Sequence, residues 1–286
     1  MKHNITFIGA GAMAESLISG WLKKEYLDKK QITVTNRSND RRLQELTQYY
    51  GIKSSRSAEE LISPNTVVIL ACKPKDWKSA LEPYISSLTK DTPVVSVMAG
   101  VTIESIQELL ANEDIPVIRT MPNTSATVGA SMTTISFGIT VTDNIKQVIN
   151  YIFKGVGETA IVPEEQMDAM TALTGTGPAY IYYLMEAMEM AAEQMGIDRT
   201  LAKTLVSQTL LGASLRVQES KDEPAQLYKQ IMSPGGTTEA GFNVLKENEV
   251  QQSIIACIHR AWERSVELGG QTDGRKAQQI SKLFER

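Results

Sequence analysis

Histidine is almost missing from this chain: of 286 residues, only His3 and His259 carry an imidazole. His3 precedes the first apolar run and His259 falls in a late helical pattern, so chemistry that leans on a histidine general acid is not expected. Cysteine is equally scarce. Cys72 and Cys257 stand far apart and in no metal-ligand spacing, which argues against a disulfide scaffold and a thiolate zinc site; no metal is expected. No run of about 18 apolar residues occurs, so no membrane-spanning helix is expected. No basic segment followed by an apolar stretch stands before the first apolar run, so no signal peptide is expected and the cytoplasm is the default compartment. Charge of one sign is massed nowhere, and the formal net charge is −4, which speaks against a nucleic-acid or anionic-membrane surface.

What is present is ordinary globular material, 42% hydrophobic and 22% charged, in a chain long enough for two domains. In the first part, short apolar runs at residues 5–8, 32–35, 66–71, 94–97 and 116–120 alternate with amphipathic stretches at 14–24, 40–50, 77–87 and 103–111. Strands alternating with helices of this length predict a mostly parallel sheet built of right-handed βαβ units. Near residue 160 the texture changes. A last strand-like run at 159–162 is followed by Pro163-Glu164-Glu165, a helix start. Helical patterns then cover 166–173, 178–195, 199–217, 224–232, 239–245 and 250–268, broken at Gly175-Thr176-Gly177, Gly196, Ser233-Pro234-Gly235-Gly236 and Gly269-Gly270. The expected organisation is an α/β domain over residues 1–163 and an all-helical domain over 164–286. The 178–195 helix is rich in small apolar residues; a core helix is the simpler reading, and a subunit interface holds as well if the domain intertwines with a second copy. The charged tail from Gln271 to Arg286 reads as a terminal helix or a frayed end without a role.

The most informative segment follows the first strand. Gly9-Ala10-Gly11-Ala12-Met13-Ala14 has the GxGxx(G/A) spacing of a dinucleotide-binding loop, with a strand before it, a helix after it and further βα units beyond. Gly9 permits the tight turn, Gly11 lets backbone approach a pyrophosphate, and Ala14 permits close helix–strand contact; the free N–H groups of the helix N-terminus face the phosphates. The second strand ends in Asn36-Arg37-Ser38, without the carboxylate that holds a ribose 2′-OH in NAD-specific loops. Those three side chains can hydrogen-bond a 2′-phosphate, which favours NADPH over NADH, against a solvated loop arginine that touches nothing. Ala71-Cys72-Lys73-Pro74 ends a strand near the expected switch point, and Met98-Ala99-Gly100 ends the next, where small residues leave room for a nicotinamide ring. Lys73 reads as a cofactor contact or a surface charge, and Cys72 as a small packing residue.

These segments, with Arg119-Thr120-Met121-Pro122-Asn123-Thr124, Gly175-Thr176-Gly177-Pro178-Ala179-Tyr180 and Ser233-Pro234-Gly235-Gly236-Thr237-Thr238, resemble the pyrroline-5-carboxylate reductase family in order and spacing over nearly the whole chain. Ser125 stands where the family usually has Pro, and Thr174 and Thr176 where it more often has Ser. The resemblance implies a Rossmann domain followed by an all-α dimerisation domain, and NAD(P)H-dependent reduction of 1-pyrroline-5-carboxylate to L-proline. It adds Asn123 to the cofactor-binding set. It places the substrate carboxylate on Ser233, Gly235, Gly236, Thr237 and Thr238, with Thr238 beside the imine nitrogen as the catalytic residue. A homodimer is implied, and rings of five dimers occur in the family.

Elementary chemistry supports the assignment. A Gly-Gly turn opening a helix at Thr237 presents free N–H groups, a ready anion site, although a helix capped by Ser233 or Thr237 with nothing bound is the bland alternative. A pyrroline imine is basic enough to arrive at least partly protonated, so no strongly perturbed acid is required. Two rivals remain. A β-hydroxyacid dehydrogenase would need a lysine soon after the Gly-x-Gly turn, and none follows Gly177 before Lys203. A regulatory paralogue would keep the fold without turnover.

Overall fold

In a computed structural model, residues 3–273 are described. Among them, one sheet contains β1 (Asn4–Ile8), β2 (Ile32–Thr35), β3 (Lys53–Ser54), β4 (Thr66–Leu70), β5 (Val94–Ser96), β6 (Val117–Met121), β7 (Ser131–Phe137) and β8 (Gly157–Ile161), in the order β3-β2-β1-β4-β5-β6-β7-β8. Every neighbouring pair is parallel except β6 with β7. The chain leaves β1 in one direction for β2 and returns on its other side as β4, which makes the β1–β4 edge a topological switch point. The helices are α1 (Ala12–Lys23), α2 (Asp40–Tyr50), α3 (Ala58–Leu61), α4 (Trp77–Leu81), α5 (Ile103–Leu110), α6 (Asp143–Lys154), α7 (Met167–Met170), α8 (Gly177–Gln194), α9 (Arg199–Glu219), α10 (Pro224–Gln230), α11 (Thr237–Glu247) and α12 (Val250–Asp273). The described residues up to Pro178, with those from Ala261 on, form one compact unit; Ala179–Arg260 forms another.

The sheet is covered on both faces. Along β4, Val67 and Ile69 join the apolar cluster that contains Trp21 and Phe153, whereas Val68 and Leu70 join the one that contains Trp77 and Leu81. Successive strand residues point to opposite faces, and a strand buried on both needs the continuous apolar run seen there. Trp21 is fully buried and donates its indole N–H to the Ile152 carbonyl at 2.8 Å, which ties α1 to α6.

The strand runs predicted from apolar residues are found within one or two residues. The strands with other textures are additional: β3 is two residues long, and β7 is rich in Ser and Thr. In β7 the polar side chains are buried but satisfied, Ser136 by the Val162 carbonyl at 2.7 Å and Ser131 by the Asn123 N–H at 3.1 Å. The antiparallel β6–β7 pair departs from a sheet built only of βαβ units, because a short 3₁₀ turn at Thr124–Val128 sends the chain straight back. Helix α6 was likewise not anticipated. The predicted break at Gly175-Thr176-Gly177 takes the form of a π-helical turn, Thr171–Gly175, and a bend at Thr176 before α8 begins, whereas the one predicted at Gly269-Gly270 does not form, because α12 runs through it. The tail prediction beyond Asp273 lies outside the described residues.

A buried cation organises the far side of β6. Arg119 is 1% exposed; its guanidinium donates to Asp168 at 2.9 Å and lies 3.6 Å from Glu164. Asp168 also accepts the Ser265 hydroxyl at 3.0 Å, and Glu164 accepts the Ile103 N–H at the start of α5 at 2.7 Å. One side chain thus joins β6, α5, α7 and the end of α12. Arg119→Met removes the cation that balances the buried Asp168, so the variant is expected to lose about 3–5 kcal/mol of stability, measured by denaturant unfolding at fixed protein concentration.

Candidate active site

Five predicted cofactor segments follow five adjacent strands. Gly9–Met13 follows β1, Asn36-Arg37-Ser38 follows β2, Ala71–Pro74 follows β4, Ala99 follows β5 and Asn123 follows β6. With strand order β2-β1-β4-β5-β6, they line one carboxyl edge of the sheet, where open α/β sheets bind ligands. The Ser233–Thr238 segment belongs to the other compact unit.

Gly9 has φ +112°, and a Cβ there would lie 2.5 Å from the Ala71 carbonyl and the Cys72 nitrogen. Backbone hydrogen bonds hold this crossing: Gly9 N–H to Thr35 at 2.9 Å, and Ala71 N–H to Ile8 at 2.9 Å. Gly11 is different. It caps α1 with an extended backbone, no side chain caps the helix, and the nearest atom to a Cβ would be 3.7 Å away. Among the described residues, nothing requires glycine at position 11. The bare, exposed N-terminus of α1 therefore fits a close-approaching anionic group such as a pyrophosphate. Ala14 is fully buried against the sheet, and Met13 packs its side chain on the core, so Met13 offers a ligand its backbone. Ala10 is buried and Ala12 exposed.

At the end of β2, Asn36 is spent on the fold. Its amide binds the Asn39 carbonyl and N–H at 2.8 and 2.9 Å, and Arg56 donates to its main-chain and side-chain oxygens at 3.0 and 3.2 Å. Arg37 and Ser38 are exposed and make no side-chain hydrogen bond among the described residues, which leaves their donors for a ligand. Arg56, paired with Asp40 at 2.6 Å, brings a second guanidinium to this loop and was not found from the sequence. Lys73 is exposed and unpaired among the described residues. Burial pushes the Cys72 thiol up to about 11, and its Sγ lies 3.6 Å from Met98 Sδ, as suits a packing residue. Ala99 is half-buried, and the adjoining Gly100 backs onto Gly269, where a Cβ on Gly100 would meet the Gly269 nitrogen at 2.7 Å. Asn123 is 6% exposed; its amide donates to the Thr174 carbonyl at 2.9 Å, freed by the π turn, and accepts the Ser125 N–H at 3.0 Å. Its side chain is occupied in holding that turn.

In the other unit, Gly235 has φ +71° and Gly236 is the N-cap of α11, with no side-chain cap. The bland alternative of a Ser233 or Thr237 cap is not what forms. Glu239 accepts the Gly235 N–H at 2.7 Å, and the Gly236 N–H bonds the Ser233 carbonyl at 2.9 Å. A Cβ on Gly236 would lie 2.4 Å from Ser233 Oγ, so glycine lets that hydroxyl close over the turn. The hydroxyls of Ser233, Thr237 and Thr238 make no hydrogen bond among the described residues, and the first N–H groups of α11 have no partner within the helix. The three hydroxyls and the first N–H groups of α11 thus remain as donors for an anion, beside a Glu239 carboxylate that is held by the Gly235 N–H.

A cavity of about 1090 Å³ opens at the opposite, amino edge of the sheet, lined by His3, Asn65, Thr92 and Asp114 among others. It contains none of the predicted site residues. The fold, the glycine crossing and the donor turn mark the site more directly than cavity size does.

Comparison with known proteins agrees with this geometry. Residues 164–268 match the family described as pyrroline-5-carboxylate reductase dimerisation, and residues 4–100 the one described as NADP oxidoreductase coenzyme F420-dependent. The chain is 41% identical to pyrroline-5-carboxylate reductase 2 of Bacillus subtilis, covering 94% of this chain and 96% of that protein. Among solved structures, a pyrroline-5-carboxylate reductase from Coxiella burnetii is similar at 35% identity and a TM-score of 0.81, covering 94% of this chain and 99% of that one. The Plasmodium falciparum pyrroline carboxylate reductase with NADP bound is similar at 27% identity and a TM-score of 0.84, again over 94% and 99%. With a relative 41% identical over 94% of this chain and 96% of its own length, and with residues 164–268 matching the dimerisation family, the chain belongs to the pyrroline-5-carboxylate reductase family.

Proposed function

We propose that this chain reduces 1-pyrroline-5-carboxylate to L-proline with NADPH, the last step of proline biosynthesis, and that NADH is the poorer donor. The observation that carries the reading is the Ser233–Thr238 turn, a set of uncommitted hydroxyl and N–H donors in a chain that also holds a bare Gly-x-Gly helix start.

The α11 N-terminus and the Ser233 and Thr237 hydroxyls bind and orient the substrate carboxylate. Thr238 sits one residue further into the helix and is assigned the imine nitrogen, where its hydroxyl orients or relays the proton that nitrogen carries. The Gly9–Met13 backbone holds the pyrophosphate, Arg37 and Ser38 hold a 2′-phosphate, Lys73 supplies a further cation, and the small Ala99 leaves room for the nicotinamide. NADPH, when bound, supplies the hydride. No histidine is needed, because the substrate brings a basic nitrogen of its own. A β-hydroxyacid dehydrogenase would have to deprotonate an alcohol, and no lysine lies between Gly177 and Lys203 to do so.

The helical region is assigned to a homodimer, and nothing in the chain selects between that dimer and a ring of five dimers. Tyr183, Leu201 and Leu211 are more than half exposed in the single chain, as an unpaired interface would be. The assigned compartment is the cytoplasm; no helix among the described residues is long and apolar enough to cross a membrane.

Purified protein with NADPH and pyrroline-5-carboxylate is expected to consume absorbance at 340 nm, and more slowly with NADH; no oxidation with either would leave the regulatory paralogue. Thr238→Ala is expected to lower kcat by roughly a hundredfold with NADPH affinity intact; unchanged kinetics would remove Thr238 from the mechanism. Arg37→Ala is expected to cut kcat/KM for NADPH by about tenfold or more, the loss of a charge-assisted hydrogen bond, while kcat/KM for NADH stays level.

A further inference from the structure

Arg42, on the inner side of α2, reaches into the dinucleotide loop from outside the glycine motif. Its Nε donates to the Ala10 carbonyl at 2.9 Å, the middle residue of Gly9-Ala10-Gly11. The same guanidinium is hydrogen-bonded to Glu15, in the opening turn of α1, and lies 3.6 Å from Glu45. Tyr50, at the end of α2, adds its hydroxyl to Glu15 at 3.3 Å. Burial pushes the Tyr50 phenol up, and the Glu15 carboxylate adds to that, so it stays a donor. The Arg42 side chain is only 25% exposed, and its donors are committed in fixed directions.

Two consequences follow from this geometry. In a trans peptide, the C=O of one residue and the N–H of the next point to opposite sides. Pinning the Ala10 carbonyl toward α2 therefore turns the Gly11 N–H away from α2, and rotation of that one peptide plane would swing the donor out of place. Glu15, meanwhile, sets a carboxylate in the first turn of α1, where a diphosphate would be repelled by it. The Arg42 guanidinium neutralises that charge where it stands. Neither function can be served by Arg41, the next residue along the helix, which is 90% exposed and pairs with Glu45 alone.

We propose that Arg42 is a positioning residue for the cofactor: it orients the Ala10–Gly11 peptide and neutralises Glu15, and so sets the affinity of the α1 N-terminus for a dinucleotide diphosphate. The inference rests on reading Gly9–Met13 as the cofactor loop.

The test is the NADPH dissociation constant, read from fluorescence of the bound nucleotide, alongside steady-state kinetics and thermal unfolding. Arg42→Ala is expected to weaken NADPH binding about tenfold, with a matching rise in its KM, and to leave kcat at saturating NADPH and the KM for the imine within about twofold of the parent. Arg42→Lys, which keeps the charge without the fork, is expected to fall between. Arg41→Ala, the control for removing one charge from the same helix, is expected to bind NADPH like the parent. Glu15→Gln in the Arg42→Ala background is expected to restore part of the affinity. Full restoration would overturn the peptide-orienting role and leave only neutralisation. Unchanged NADPH affinity in both Arg42 variants would overturn the proposal while the cofactor reading stands. So would a loss of kcat and affinity in step with lowered melting temperature in both. Failure of the parent chain itself to bind NADPH would sink the cofactor reading and this inference together.

Discussion

Everything at the carboxyl edge depends on how closely two backbones pass. The turn after β1 crosses the end of β4 with so little room that a single added carbon at Gly9 would overlap the Ala71 carbonyl and the Cys72 nitrogen. Hydrogen bonds to Thr35 and from Ala71 clamp the crossing on both sides. That contact brings β1 and β4 to the switch point at one height, and it aims the N-terminus of α1 out of the sheet. The helix start is then held from behind by Arg42 and Glu15. The Gly9–Met13 loop, to which we assign the cofactor, is thus held in place by backbone packing and hydrogen bonds within the protein itself. Preorganisation of this kind lowers the ordering cost of binding.

The second anchor is chemically similar and built differently. At α11 the glycines serve a side chain: Gly236 gives way so that the Ser233 hydroxyl can lie over the helix start, and Glu239 takes up the Gly235 N–H. The first anchor leaves backbone donors open through the absence of side chains, whereas the second surrounds them with hydroxyls. On the function proposed above, the bare helix end suits the diffuse charge of a diphosphate and the hydroxyl-lined turn suits a small carboxylate.

Much of this was legible in the sequence because the signals were local. The apolar runs of β1, β4 and β5 carried their own identity, since strands buried on both faces leave few alternatives. Gly9, Gly11 and the Ser233–Thr238 turn could be read because each stands in a motif of about six residues, although the backbone that demands glycine at position 9, at Ala71 and Cys72, is distant in sequence. What escaped was set by distant partners. β7 carries no apolar run, and its Ser and Thr side chains are satisfied by Val162, Asn123 and neighbours that the fold brings near. Arg42 and Arg56 stand in no local motif; the packing of α2 against α1, and of the β3 end against Asn36, reveals their targets. Asn123, which the resemblance adds to the cofactor-binding set, has its side-chain amide engaged with Thr174 and Ser125. A motif identifies a neighbourhood; the allocation of its individual atoms is decided by tertiary structure.

The burial of Cys72 has a consequence for the chemical durability of the protein. With its pKa pushed up to about 11, the thiol is ionised in only on the order of one molecule in ten thousand at pH 7. Electrophiles and peroxides react with thiolates, so the single sulfhydryl at the nucleotide edge is close to inert toward them. The exposed Cys257 on α12 is sterically the more accessible of the two. Of the two sulfurs, Cys257 is therefore the one that maleimide coupling would reach first in the single chain, and Cys72 the one that reacts slowly.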